Sequence, residues 1–154
     1  MTDRYPFTTE VTVRFAETDA QGIAHHSVYL VWFELARVEY LARFAGGYQA
    51  LREQGIEALV LEASVQYIAP ARFADTLQIH ARCGDVRGAR FRYEYLVERE
   101  GERLAAGWTR HATVDARTLR PTRVPEFFAA HQARGVTVEH FVGRLRADVD
   151  PWPA

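Results

Sequence analysis

Residues 28–44, V-Y-L-V-W-F-E-L-A-R-V-E-Y-L-A-R-F, constrain the fold more than any other segment. Tyr29, Phe33, Ala36 and Tyr40 recur at helical spacing, and Leu30, Leu41 and Phe44 widen the apolar surface. The pattern predicts one long α-helix with too much apolar surface to sit on a domain's exterior. Gly46-Gly47 follows directly and is expected to end it with a left-handed C-terminal cap. Such a helix needs a surface to bury it, and most of the remaining chain reads as strand.

Residues 9–15 alternate, with Val11, Val13 and Phe15 on one face and Glu10, Thr12 and Arg14 on the other. A short second helix is expected over 48–54, ending at Gly55. Residues 57–68 read as a long strand stopped by Pro70, and 75–82 as another. Residues 84–88 read as a turn and 89–98 as a strand. Glu100-Gly101 marks a tight hairpin, and 103–114 is the last strand. Pro125 suits the first turn of a terminal helix running to about residue 134. Strand, helix, then four antiparallel strands gives an α+β fold, an antiparallel β-sheet wrapped around one long central α-helix. Long, aromatic-rich strands also suggest that a sheet edge pairs with a second subunit.

The chain has 154 residues, the size of one domain, expected over 1–135 with a C-terminal extension over 136–154. Net charge is −1, so no strong field favours nucleic acid or an anionic membrane. All 19 basic residues are arginine, which excludes a phosphate-loop lysine and a Schiff-base lysine. Cys83 is the sole cysteine, so an intrachain disulfide and a cysteine-rich metal centre are excluded. Serine occurs only at Ser27 and Ser64, neither in a G-x-S-x-G elbow. No signal-peptide layout and no 18-residue apolar run appear, so a soluble cytoplasmic protein without a membrane span is expected.

The loop before the long helix concentrates the chemistry. It holds Glu17, Asp19, Gly22, His25 and His26, with Ser27 as the expected N-cap. A helix start offers free backbone N–H groups that can hold a developing oxyanion, and a carboxylate upstream can reach the same spot. Carboxylate plus helix N-terminus is an acyl-transfer site that needs neither a serine nor a cysteine nucleophile.

The run V-R-F-A-E-T-D-A-Q-G-I-A-H-H-S-V-Y-L-V-W-F-E-L-A-R, with Asp19, Gly22, His26, Tyr29, Phe33, Glu34, Ala36 and Arg37 in its marked places, resembles the signature of hotdog-fold acyl-CoA thioesterases. The subgroup is the 4-hydroxybenzoyl-CoA thioesterase-like one, which includes Tol–Pal-associated thioesterases. V-Q-Y-I-A-P-A-R-F-A-D-T-L, around Tyr67, Pro70, Arg72 and Asp75, resembles its second block, and D-A-R-T-L-R-P-T-R-V-P its exit. The resemblance implies a hotdog fold and hydrolysis of a CoA thioester. It implies Asp19 as nucleophile or general base, the His26 N–H as the group polarising the thioester carbonyl, and the His26 side chain beside the Asp. It implies Gly22, His25 and Tyr29 at the substrate, and a homodimer or homotetramer with no metal or organic cofactor. His25 departs from the pattern, where an aromatic residue is usual.

Other readings stay beside these. Asp19 next to Gly22 also suits an Asx turn, and Glu17 a structural role. Arg87, Arg90 and Arg92 are either solvated strand charge or a grip on CoA phosphates. Glu34 and Arg37 read as a helical ion pair, Arg72 as a partner for Asp75, and Cys83 as a small buried thiol. His25, His26 and His111 could bind a metal only if folded together. The rival functions are a hotdog hydratase-dehydratase acting on acyl-CoA or an acyl carrier protein, and a non-catalytic acyl-binding protein.

Overall fold

A computed structural model describes residues 5–129. In chain order it contains β1 (Phe7–Thr12), a 3-10 turn (Phe15–Glu17), α1 (Val28–Phe44), α2 (Gly47–Glu53), β2 (Ile56–Tyr67), β3 (Thr76–Arg87), β4 (Arg90–Arg99), β5 (Glu102–Asp115) and α3 (Glu126–Ala129). The strands form one antiparallel sheet in the order β1-β3-β4-β5-β2. The remainder of the expected terminal helix and the 136–154 extension lie outside the described residues.

α1 crosses the concave face of this sheet, and the expected hotdog arrangement is borne out. Its buried stripe of Tyr29, Trp32, Phe33, Ala36, Tyr40 and Leu41 meets Leu77, Ile79, Tyr93 and Tyr95 from the strands. Phe33 stacks on Tyr95 at 4.2 Å between ring centroids and 6° between planes. A Cβ at Gly107 would fall 2.6 Å from the Phe33 ring and 2.4 Å from the Ser64 carbonyl oxygen. No residue larger than glycine fits there, so this contact fixes how closely helix and sheet approach. Gly46 and Gly47 both take positive φ, as the expected cap requires.

Arg37 enters the same core. Its guanidinium donates to Tyr48 Oη at 3.1 Å and Tyr95 Oη at 3.4 Å, while Glu34 stands 3.8 Å away at the surface. The ion pair read from the sequence is therefore the lesser of its contacts. Cys83 is buried as expected, and burial pushes its thiol pKa up.

Four local expectations are corrected. β1 ends at Thr12, and Phe15 turns outward to 76% exposure because Glu17 binds the Arg14 N–H and guanidinium and tightens the chain into a 3-10 turn. Residues 84–88 are not a turn: β3 continues to Arg87 through a bulge, and the reversal falls after it. Ser27 stands at the N-cap but makes no capping hydrogen bond, because its hydroxyl pairs with His25 Nδ1 at 2.7 Å. Asp75 takes its salt bridge from Arg99 at 2.5 Å, while Arg72 supplies only its backbone N–H.

α1 and β2 leave an apolar surface uncovered. Leu30, Val31, Leu35 and Val38 are exposed along the helix, and Leu59, Val60 and Leu61 along the edge strand. Among the described residues, no helix is long and apolar enough to cross a membrane.

Candidate active site

The loop between the 3-10 turn and α1 is held by its own backbone. Asp19 N–H donates to the Ile23 carbonyl and Gly22 N–H to the Asp19 carbonyl, both at 2.9 Å. Gly22 sits at φ +75°, a conformation that side chains disfavour, so the reversal needs glycine there. Ala24 N–H reaches across to the Ala71 carbonyl at 2.8 Å and His25 N–H to the Glu17 carbonyl at 2.8 Å, which seats the loop on the segment after β2. Glu17 is thus structural, as its plainer reading held.

Asp19 takes the Asx turn that its plainer reading expects. Its Oδ1 accepts the Gln21 N–H at 2.8 Å, an Asx turn. Its Oδ2 has no hydrogen-bond partner among the described residues, so one carboxylate oxygen is fixed and the other is available.

That carboxylate lines a cavity of about 330 Å³, at the small end of ligand-binding size. Asp19, His26 and Tyr29 come together here, joined by Ile23, Tyr67 and the stretch Ile68, Ala69 and Pro70. Tyr29 packs edge-on against Tyr67 at 5.1 Å. The Tyr67 hydroxyl donates to the His26 carbonyl, pinning the peptide just before α1. The His26 N–H has no acceptor among the described residues. One carboxylate, one free backbone donor and apolar walls can hold a carbonyl compound and activate water beside it.

His25 does not line this cavity; its ring lies 4.1 Å from that of His26 and is tied to Ser27. His111 is buried against Phe91 at the other end of the sheet. The three imidazoles are therefore not brought together, and no group of three metal-ligating side chains occurs among the described residues. Tyr67 and the Ile68–Pro70 wall were not picked out as site residues from the sequence. Pro70 was read as a strand stop and, with Tyr67, as part of the second block of the family resemblance but without a place in the site, and the contact from Tyr67 to His26 spans 41 positions.

Arg87 and Arg90 lie elsewhere. They line a second cavity of about 310 Å³ at the β3–β4 hairpin. β4 has ten residues and separates that hairpin from the Asp19 end by about 30 Å.

Residues 13–132 match the family described as the Thioesterase-like superfamily. The acyl-CoA thioesterase YbgC of Haemophilus influenzae is 31% identical over 121 residues, covering 78% of this chain and 89% of the relative. A solved structure from Thermus thermophilus superposes with a TM-score of 0.74 at 37% identity, covering 80% of this chain and 95% of that one. A DHNA-CoA thioesterase of Staphylococcus aureus gives a TM-score of 0.73 at 26% identity, covering 91% and 90%. Sequence, fold and the carboxylate-bearing loop agree: the chain belongs to the thioesterase-like superfamily of hotdog-fold proteins.

Proposed function

We propose that this protein is an acyl-CoA thioester hydrolase, releasing a free acid and CoA, with Asp19 as its catalytic carboxylate. The observation that carries the reading is the half-bound state of that side chain: Oδ1 is held by Gln21, and Oδ2 is free on the wall of an apolar cavity. The thioester carbonyl lies against the His26 N–H, which stabilises the oxyanion as the carbon becomes tetrahedral. Asp19 acts by one of two routes. As a general base it takes a proton from water, whose oxygen attacks the carbonyl carbon. As a nucleophile it forms a mixed anhydride that water then opens. In both, the C–S bond breaks and CoA leaves as a thiolate that takes up a proton. Tyr29 and Tyr67 flank the acyl group, and a volume near 330 Å³ suits an aryl or short acyl chain. His26 lines the same cavity as Asp19.

The exposed apolar surfaces of α1 and β2 support a homodimer, or a homotetramer of two such dimers. Antiparallel pairing of two β2 edges about a two-fold axis would turn the partner's β3–β4 hairpin toward this subunit's Asp19 end. Arg87 and Arg90 would then meet CoA from across the interface, while His25 would border the entrance. A cytoplasmic setting, where CoA thioesters are made, fits this reading.

The deciding experiment is thiol release from a panel of acyl-CoAs, acetyl to palmitoyl with benzoyl, hydroxybenzoyl and phenylacetyl. Turnover of at least one member, lost in Asp19→Asn, is expected. Turnover unchanged in Asp19→Asn would remove that carboxylate from the chemistry. Hydration of crotonyl-CoA in place of thiol release would favour a hydratase. Sedimentation of Val31→Glu should show a smaller species than wild type.

A further inference from the structure

The face of the sheet turned away from α1 carries a second arrangement of reactive side chains. Along β1, Val11 points into the core with Val13 beyond the strand's end, so Thr8, Glu10 and Thr12 point outward. Along β3, Leu77, Ile79 and Ala81 face the core and alternate with Gln78, His80 and Arg82. Thr8 stands opposite His80 in the register of the two strands. Thr8 Oγ1 lies 2.7 Å from His80 Nδ1, and His80 Nε2 lies 2.9 Å from Glu98 Oε2 on β4. A carboxylate only accepts, so Nε2 carries the imidazole proton and Nδ1 is left as an acceptor. The Thr8 hydroxyl is then the donor. Hydroxyl, imidazole and carboxylate form one chain, in the order of nucleophile, base and orienting group.

The two ends of this chain differ in exposure. His80 is 4% exposed and the Glu98 side chain 13%, with the Tyr5 ring against the imidazole at 5.8 Å. Thr8 is exposed. The base is shielded from water, while its hydroxyl partner is open to a reactant. β1 is also an edge strand, paired only with β3. Val13 N–H donates to the carbonyl of Asp75, its opposite residue in the continued register, at 2.9 Å. Odd-numbered residues of β1 therefore turn their N–H groups to β3, and even-numbered ones, Thr8 among them, turn theirs to the open edge. The N–H of a nucleophile's own residue can hold the oxyanion that its attack creates.

We propose that Thr8, His80 and Glu98 form a second acyl-transfer site, which takes the acyl group of an activated oxygen ester onto Thr8. Thr8 Oγ1 bonds to the acyl carbon as its proton passes to His80 Nδ1, and the oxyanion forms at the Thr8 N–H. The C–O bond to the leaving alcohol then breaks, and the alcohol oxygen takes the proton from His80. Water opens the acyl-threonine by the same route, giving the free acid and restoring the hydroxyl. Glu98 holds the imidazole in its tautomer and balances the imidazolium charge. An exposed edge supplies little binding energy, so the donor has to be intrinsically reactive, an aryl ester with a good leaving group. The site shares no residue with the Asp19 cavity and does not depend on the hydrolase reading.

The test uses p-nitrophenyl acetate and the full chain carrying Asp19→Asn, which silences the first carboxylate. The chain has no lysine, so side-chain amines do not compete for the acetyl group. Acid quenching, digestion and mass spectrometry should locate an acetyl group on Thr8. Release of p-nitrophenol should fall about 10²-fold or more in Thr8→Val and in His80→Gln, and persist in Thr8→Ser. Thermal melts matching the starting protein show that the variants fold, and the acetyl map of the starting protein needs no variant. Release that falls in both variants without trapped acetyl makes deacylation the faster step and also supports the site. Release and labelling unchanged in Thr8→Val, or unchanged in His80→Gln, overturn the proposal, as does a map with acetyl elsewhere and none of the release dependent on Thr8. Thiol release from acyl-CoA that is unchanged in Thr8→Val keeps the hydrolase reading separate from this one.

Discussion

The two ends of the sheet enclose cavities of similar size and contrary character. At the Asp19 end, one carboxylate faces tyrosine rings and the Ile68–Pro70 wall. At the hairpin end, four guanidinium groups crowd around two carboxylates. The chain thus separates the environment suited to an uncharged reacting group from the one suited to an anion. The separation has a physical basis, because a carboxylate acting as base or nucleophile gains little from arginines that would pair with it.

The largest test of this contrast is Asp19→Asn, expected to lower kcat by about 10²–10⁴-fold in a thiol-release assay. Asn keeps an oxygen for the Gln21 N–H, so the loop should survive and thermal melting should match wild type. A comparable loss of kcat in Arg90→Gln would erase the contrast.

The hairpin end should instead show itself in stability against pH. Burial, with Arg37 adding to it, draws the His111 pKa down to about 3. The unfolded chain therefore binds a proton that the folded chain refuses between that value and about 6.5. Stability is full above pH 6.5 and falls as the pH drops, by up to about 1.4 kcal/mol per unit. Urea melts from pH 7 to 4.5 should show this slope, and His111→Phe, which retains a ring against Phe91, should flatten it. An equal slope in both proteins would place the titrating group elsewhere.

Tyr67→Phe is a finer probe of the first cavity. Losing the hydrogen bond to the His26 carbonyl should cost about 1 kcal/mol of transition-state stabilisation, seen as a severalfold drop in kcat with little change in KM. The smallest effect is expected from Arg99→Ala. Its bridges to Asp75 and Glu102 are partly exposed, and their loss should lower stability by no more than about 1 kcal/mol in a chemical melt.

Legibility in the sequence followed the range of the interactions. α1 was readable to its ends because an apolar repeat and the Gly46-Gly47 pair are local signals. The Glu100-Gly101 hairpin was readable for the same reason. β1 was drawn too long because Phe15 continues an alternation that the Arg14–Glu17 contact overrides. The bulge in β3 hid behind Gly84, which reads locally as a turn. Asp19, His26 and Tyr29 were found together because one short stretch, the loop and the first turn of α1, carries all three. The wall opposite them was not, since Tyr67 and Pro70 arrive from another strand. Arg87 and Arg90 could be picked out by charge, but charge does not say at which end of the sheet they lie. Arg92 was read with Arg87 and Arg90 as solvated strand charge or a grip on CoA phosphates, and only its stacking on Trp108 sets it apart.

On the proposed hydrolase reading, the absent side chain at Gly107 would limit how long an acyl group one subunit can accept. Phe33 lies four residues beyond Tyr29, one helical turn or about 6 Å deeper along α1. There its ring is pressed between Tyr95 and the bare backbone of Gly107. Helix and sheet are sealed at that point, so an acyl chain entering past Tyr29 would meet a floor after a few carbons. Extra length has to turn sideways, toward the uncovered flank of α1. On the proposed hydrolase reading, selection of acyl length would belong to the depth of that floor and to whatever shares the flank, while the loop that carries Asp19 would perform the same step on every substrate that fits.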